Sequence, residues 1–258
     1  MCLLVVAHQQ HAQYRLIVAA NRDEFHDRPA LPATYWADDK TILGGRDLQG
    51  GGTWLAVNRA GQFAAITNVR TPRNITPVRS RGLIISDYLN NREPASDFIS
   101  DLTKLGADYE GFNLLASDTN STAWYSNFSH QSRALAPGVY GLSNHLLDTP
   151  WPKVNRIKAD FIAAQTLPED SLVEALFKAL ANEQSAPDKE LPDTGISREF
   201  EKILSPIFIS GDNYGTRCST VILVSHSGEL TFLERRFGPN KSFLGESAYK
   251  FEIDTLAN

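Results

Sequence analysis

Sulfur is scarce in this chain. Among 258 residues there are two cysteines, Cys2 and Cys218, and one methionine, the first residue. Two cysteines make no disulfide framework. Sparse cysteine suits a reducing compartment, so a cytoplasmic location is expected. Basic charge is also in deficit, with 25 Lys and Arg against 30 Asp and Glu and a net charge of −5. That balance gives no nucleic-acid surface. No apolar run approaches the roughly 18 residues that a membrane span needs. The opening apolar run lacks both a basic leader and a small-residue cleavage site, so it does not read as a signal peptide. The six histidines are scattered, with no pair at the spacing that holds a metal on a helix. There is no Cys-x-x-Cys-His haem attachment motif. The triplet Gly50-Gly51-Gly52 is not followed by the Gly-Lys-Ser/Thr of a phosphate loop. No metal and no cofactor are expected, and there is no internal repeat.

What remains is an ordinary globule, 42% hydrophobic and 21% charged. Its length favours a single domain over residues 1–258 with a substantial core. The most informative stretch comes first. The run Cys2-Leu3-Leu4-Val5-Val6-Ala7, a polar turn, and the run Tyr14 to Ala20 read as a β-hairpin. Antiparallel pairing brings Asn21-Arg22-Asp23-Glu24 back beside Cys2. A residue as small as Cys permits removal of the initiator Met. Cys2 would then carry a thiol together with a free α-amine that titrates near 7.7 and can serve as its base. Arg22 would hold thiolate or substrate charge, and Asp23 would orient the ammonium form. The alternative is a Cys2 that merely fills space at a strand start.

Further along, 25–32 reads as an irregular loop with Pro29 and Pro32, in which His26 is solvated. The glycine triplet is either a tight turn or a loop on a pocket rim. A hairpin over 53–68 ends on Asn68, which either turns the chain or donates its amide to a developing oxyanion. Arg70, Arg73, Arg79 and Arg81 form a solvated basic loop or receive an anionic substrate tail. Helices are expected over 81–90, capped by Ser80, over about 96–105, from Trp151-Pro152-Lys153 through Ile157, Phe161 and Ile162, over 171–180, and over 199–204. Strands are expected at 112–116, 122–125, 138–143, 219–224, 229–236 and 249–253. His145 is an acid/base or a structural hydrogen-bonding group. Arg217, at a strand entry, holds a substrate carboxylate, polarises the thiolate, or braces a loop. Cys218 reads as packed. Strand-rich ends around helical middles give an α+β chain with mainly antiparallel sheets.

The opening Met-Cys, Ala19 to Phe25, Gly51-Gly52-Thr53-Trp54-Leu55, Thr67-Asn68 and Tyr214 to Thr220 together resemble the NRDE family. That family includes homologues of the transport and Golgi organisation protein 2. It in turn is similar to N-terminal nucleophile hydrolases of the choloylglycine and penicillin V acylase type. The resemblance implies a four-layer αββα sandwich. It implies Cys2 as nucleophile, Asn68 as oxyanion donor and Asn144 as a second pocket residue, with Arg22, Asp23 and Arg217 setting charge and position. The reaction implied is hydrolysis of a non-peptide amide or ester of a small-molecule acyl substrate. One departure is visible: the hydrolases present Arg, then Asn, then Asp, whereas here Arg22 follows Asn21. The eukaryotic relatives are linked to haem handling and lipid homeostasis, which implies the competing reading, a carrier of haem or another hydrophobic ligand.

Overall fold

The computed structural model describes residues 2–71 and 79–254. In chain order it places β1 (Cys2–His8), β2 (Tyr14–Phe25), β3 (Ala30–Tyr35), β4 (Ile42–Asp47), β5 (Leu55–Asn58) and β6 (Phe63–Asn68). Helices α1 (Gly82–Asn91) and α2 (Ala95–Leu102) follow, then β7 (Phe112–Ser117), β8 (Thr122–Ser126), β9 (Gln131–Ala134) and β10 (Gly138–Leu142). The last part comprises α3 (Pro152–Ala164), α4 (Glu169–Leu180), α5 (Arg198–Ile203), β11 (Tyr214–Ser225), β12 (Glu229–Phe237) and β13 (Phe243–Glu252).

The strands form two sheets in which every pairing is antiparallel. One has the order β10-β1-β2-β11-β12-β13, the other β3-β4-β5-β6-β7-β8-β9. The alternation of strand side chains sorts the apolar residues into three layers. Leu4, Val6, Leu16 and Val18 of the first sheet meet Leu43, Val57, Phe63 and Trp124 of the second. On the outer face of the first sheet, Leu3, Val5 and Ile17 pack against Ile157 and Phe161 of α3 and Leu176 of α4. On the outer face of the second, Ala64 and Leu114 pack against Ile85 of α1 and Phe98 of α2. Each fully buried Leu or Phe contributes about 1.5–3 kcal/mol, so the inner layer locks the two sheets together. The αββα order expected above is therefore present.

Several local expectations change. The stretch 25–32 is not loop throughout, because Ala30 opens edge strand β3. Pro32 is tolerated there because it falls where the ladder to β4 breaks register between Leu31 and Thr34. Ser80 does not cap α1; Arg81 occupies the cap position, with no side-chain cap bond. Helix α2 stops at Leu102 rather than running on to Gly106, which opens a separate 3-10 turn. Ile162 of α3 points outward, 51% exposed. Arg217 lies inside β11 rather than ahead of it, at a register shift between Thr216 and Cys218.

Candidate active site

The site grows from the β1–β2 register. Cys2 lies directly opposite Arg22, and opposed residues on neighbouring strands share a face. The thiol and Arg22 therefore point between the sheets, in line with Leu4 and Ala20. Asn21 and Asp23 point to the helix side. This alternation puts Arg22 on the thiol's face and Asp23 on the opposite face of the same strand end. Asn21 is structural, donating to the Leu180 and Ile207 carbonyls at 2.9 Å each and accepting from Ser219 at 2.6 Å.

Cys2 opens onto a cavity of about 600 Å³. Arg22, Asp23, Arg28, Asp47, Trp54 and Asn68 are among the residues that share its wall. Burial pushes the Cys2 thiol up from its ordinary range, and the nearby Arg22 pulls it back. Arg22 is 5% exposed. Its guanidinium sits 4.2 Å over the Trp54 ring and 3.4 Å from Asp47 Oδ2. Trp54 reaches this place because Gly45 has no side chain; a Cβ there would stand 2.2 Å from the indole.

Asp47 is the hub of the rim. Its Oδ2 accepts from Arg28 Nε at 2.8 Å, and its Oδ1 accepts the backbone N–H groups of Gln49 and Gly50 at 3.0 and 2.8 Å. This ties the glycine loop to the cavity wall, so the triplet is a rim loop. The contact is close: a Cβ on Gly52 would fall 2.2 Å from the Gly82 carbonyl carbon. Burial alone would raise the Asp47 carboxyl, yet the Arg28 hydrogen bond, the Gly50 N–H and the two cations hold it below its ordinary value. A carboxyl with a depressed folded-state value stabilises the fold above its unfolded value, about 3.9, and loses that contribution as pH falls through the folded value. We therefore expect Asp47→Asn to lower the melting temperature at pH 7, with the gap to wild type closing as pH falls below the unfolded carboxyl value of about 3.9. Thermal scans across pH check this.

Asn68 ends β6 on the cavity wall. Its Oδ1 accepts from Asn144 Nδ2 at 2.9 Å, and its backbone carbonyl accepts from the same amide at 3.2 Å. With Oδ1 occupied, the Asn68 amide N–H groups are the donors left for the cavity. Asn144 is wholly buried behind Asn68. It is fixed by Ser143 Oγ at 3.2 Å and by the Arg70 N–H on its carbonyl at 2.8 Å. Asn144 thus orients Asn68 and does not line the cavity.

Arg217 stands elsewhere. Its guanidinium donates to the carbonyls of Phe25 at 2.6 Å and Arg28 at 3.1 Å, bracing the turn after β2. It lines a separate cavity of about 80 Å³ with Cys218 and Glu234. Cys218 is buried, and it also registers with Arg22, from the other side of β2. Cys2 and Cys218 are therefore two strands apart, roughly 9.6 Å at ordinary strand spacing, beyond the 7 Å or so that a disulfide spans. His145 bonds Thr149 Oγ1 at 3.0 Å and packs on Trp151, a structural arrangement. Of the arginine cluster, Arg73 lies outside the described residues. Arg79 and Arg81 reach the cavity, Arg81 paired with Glu110 at 3.2 Å. Arg70 is not solvated; it is buried and paired with Glu201.

Tyr214 and Lys153 were not singled out from the sequence. Tyr214, opposite Phe25 on β11, lines the cavity, and burial holds its phenol protonated. Lys153 is buried behind the site. The signal for it was present: Lys153, Ile157 and Phe161 fall on one helical stripe, so a charge sat on the apolar face. Among the described residues no group of three or more His, Cys, Asp or Glu is placed to hold a metal ion. Among the described residues no helix is long and apolar enough to cross a membrane.

Comparison with known proteins adds relatives. The family described as Transport and Golgi organisation 2 matches residues 1–239. A Transport and Golgi organization protein 2 homolog from Bos taurus is 37% identical over 262 residues, covering 94% of this chain and 91% of its own. The Drosophila melanogaster Transport and Golgi organization protein 2 is 29% identical, covering 91% of each chain. Among solved structures, a mutant of conjugated bile acid hydrolase from Clostridium perfringens superposes with a TM-score of 0.51 at 10% identity, over 100% of this chain and 94% of that one. The Caenorhabditis elegans N-acylethanolamine-hydrolyzing acid amidase ortholog gives a TM-score of 0.48 at 11% identity, over 86% and 92%.

Proposed function

The chain belongs to the Transport and Golgi organisation 2 family and has the N-terminal-nucleophile-hydrolase fold, and from that premise we propose that it hydrolyses a non-peptide amide or ester through Cys2. One observation carries the reading. Cys2, paired with Arg22, opens onto a walled cavity, and Asn68, whose Oδ1 accepts from Asn144, lines the same space.

Met1 lies outside the described residues, and its removal is part of the proposal. The freed α-amine of Cys2 takes the thiol proton as sulfur attacks the substrate carbonyl. Negative charge develops on the carbonyl oxygen, where the Asn68 amide can donate. The C–N or C–O bond breaks as the ammonium returns that proton to the leaving group, leaving a Cys2 thioester. A water molecule then gives its proton to the amine, attacks the thioester, and releases the acid and the thiol. Arg22 favours the thiolate, and Asp23 orients the ammonium. Arg217 acts indirectly, by fixing the segment that carries Arg28.

The test is intact-mass spectrometry after incubation with an activated acyl ester. We expect a chain beginning at Cys2 to gain one acyl group. A working chain that retains Met1 would remove the proton shuttle. Asn68→Ala should lower kcat by about 10²–10³-fold, roughly 3 kcal/mol, with KM little changed.

A carrier of haem or another hydrophobic ligand, implied by the family resemblance, is the competing function. Eight of the cavity-lining residues are charged: Arg22, Asp23, Glu24, Arg28, Asp47, Arg79, Arg81 and Glu110. Sites for apolar ligands are mainly hydrophobic, so this wall favours a polar acyl substrate. Stoichiometric haem binding that survives Cys2→Ala would favour the carrier instead.

A further inference from the structure

The Cys2 thiol stands where two unequal spaces meet. One is the cavity of about 600 Å³ described above. The other is a crevice of about 10 Å³ that continues from it between the sheets. Cys2, Arg22, Trp54 and Ile66 line both. Leu4, Ala20, Leu55 and Ala65 close the crevice, and all four belong to the buried inner layer. Thr67 and Thr220 also border it, but their hydroxyls are spent on the Ser143 carbonyl at 2.7 Å and on Glu234 Oε2 at 3.4 Å. The crevice is thus an apolar slot with room for one group the size of a water or a methyl. Its origin lies in the strand pattern. On β1 the thiol shares a face with Leu4, so the packed inner layer begins directly behind the nucleophile.

We infer that the protein takes short acyl groups, formyl or acetyl, carried on a larger polar alcohol or amine. The assignment rests on the Cys2-hydrolase reading and names its substrate class. When sulfur bonds to the carbonyl carbon, three other substituents need places. The oxygen goes to Asn68. The leaving group must depart, with the proton returned by the Cys2 ammonium, as its C–O or C–N bond breaks. It therefore takes the wide cavity, whose charged wall suits a polar group. The acyl group is left the crevice, where a methyl fits. A longer chain would push into close-packed side chains. Its other course is to turn into the wide cavity, where eight charged side chains leave alkyl carbons little to pack against. Water then cleaves the thioester and releases formate or acetate.

The test is the rate of Cys2 acylation, followed by intact mass, with the acetyl, butyryl and octanoyl esters of 4-hydroxybenzenesulfonate. Each rate is divided by the rate of the same ester with free cysteine, and Cys2→Ala serves as the blank. The shared anionic leaving group keeps the polar side constant. Acetyl should exceed butyryl by about 10-fold or more, and octanoyl by about 100-fold or more. Leu55→Ala, which lengthens the crevice, should reduce the preference for acetyl over butyryl by about 10-fold. Octanoyl transfer as fast as acetyl in the wild-type chain overturns the inference, puts the acyl chain in the wide cavity and leaves the hydrolase reading standing. An unchanged preference in folded Leu55→Ala also overturns it. The wild-type series needs no variant to fold. Failure of all three esters to acylate Cys2 brings down the hydrolase reading itself, and this assignment with it.

Discussion

Cys2→Ala should abolish acyl-thioester formation and lower ester or amide hydrolysis by a factor on the order of 10⁴ or more, while the chain stays folded. The size follows from what one residue supplies. In the proposed cycle Cys2 contributes the nucleophile, and its α-amine is the base. Alanine keeps the amine but gives it nothing to activate, and removing a nucleophile costs about as much as losing the whole catalytic group. Folding should survive because the thiol borders a cavity, so its loss leaves no sealed void of the kind that makes core truncations costly. Trapping the acyl intermediate by mass spectrometry in wild type and variant, alongside circular dichroism, separates the two effects. An acylated Cys2→Ala chain would place the chemistry at another residue.

Glu201→Ala should cost about 3–5 kcal/mol of stability, the penalty for leaving a buried charge without its partner. The charge is Arg70, 7% exposed, with its guanidinium 5.0 Å over Trp151. Its Nε and Nη2 already make no hydrogen bond among the described residues. Glu201 also holds Thr194 by two bonds, so its loss frees a loop as well. At 2–4 °C per kcal/mol for a chain of this size, the melting temperature should fall by roughly 10 °C. Arg70→Met/Glu201→Leu, which removes both charges, should recover most of that loss. Urea titrations of the three proteins measure it. Equal losses in the single and double variants would show that packing, not charge, holds the site together. Arg70 also gives its N–H to Asn144, so Glu201→Ala should slow turnover beyond what the lower stability explains.

How much of this could be read from the chain depended on range. The β1–β2 hairpin was legible because its two apolar runs are adjacent, and the register that sets Cys2 against Arg22 follows from that hairpin. Asn68 was legible because it closes a strand with clear turn chemistry behind it. The four layers came from resemblance; periodicity alone supported helices on antiparallel sheets. Contacts between distant segments were hidden. Nothing near Arg70 in sequence announces Glu201, so a buried pair looked like part of a solvated basic loop. Lys153 gave a local sign, a charge on an apolar helical stripe, but the Leu204 carbonyl it donates to lies some fifty residues along the chain. Arg217 was read as poised at a strand entry, and the register shift that turns it toward the Phe25 carbonyl is a property of two paired strands. Asp47 had no local mark beyond its place before glycines. Its role depends on Arg22, from the other sheet, and on Arg28, from the turn between β2 and β3.

The two sulfurs lie on opposite flanks of β2, with a whole strand between them. An oxidised Cys2 therefore has no resolving thiol within its own chain. Sulfenic acid at that position would have to be returned to the working thiol by an outside reductant such as a small-molecule thiol, or proceed to irreversible acids. The architecture that presents the reactive atom to a cavity also leaves its repair to its surroundings.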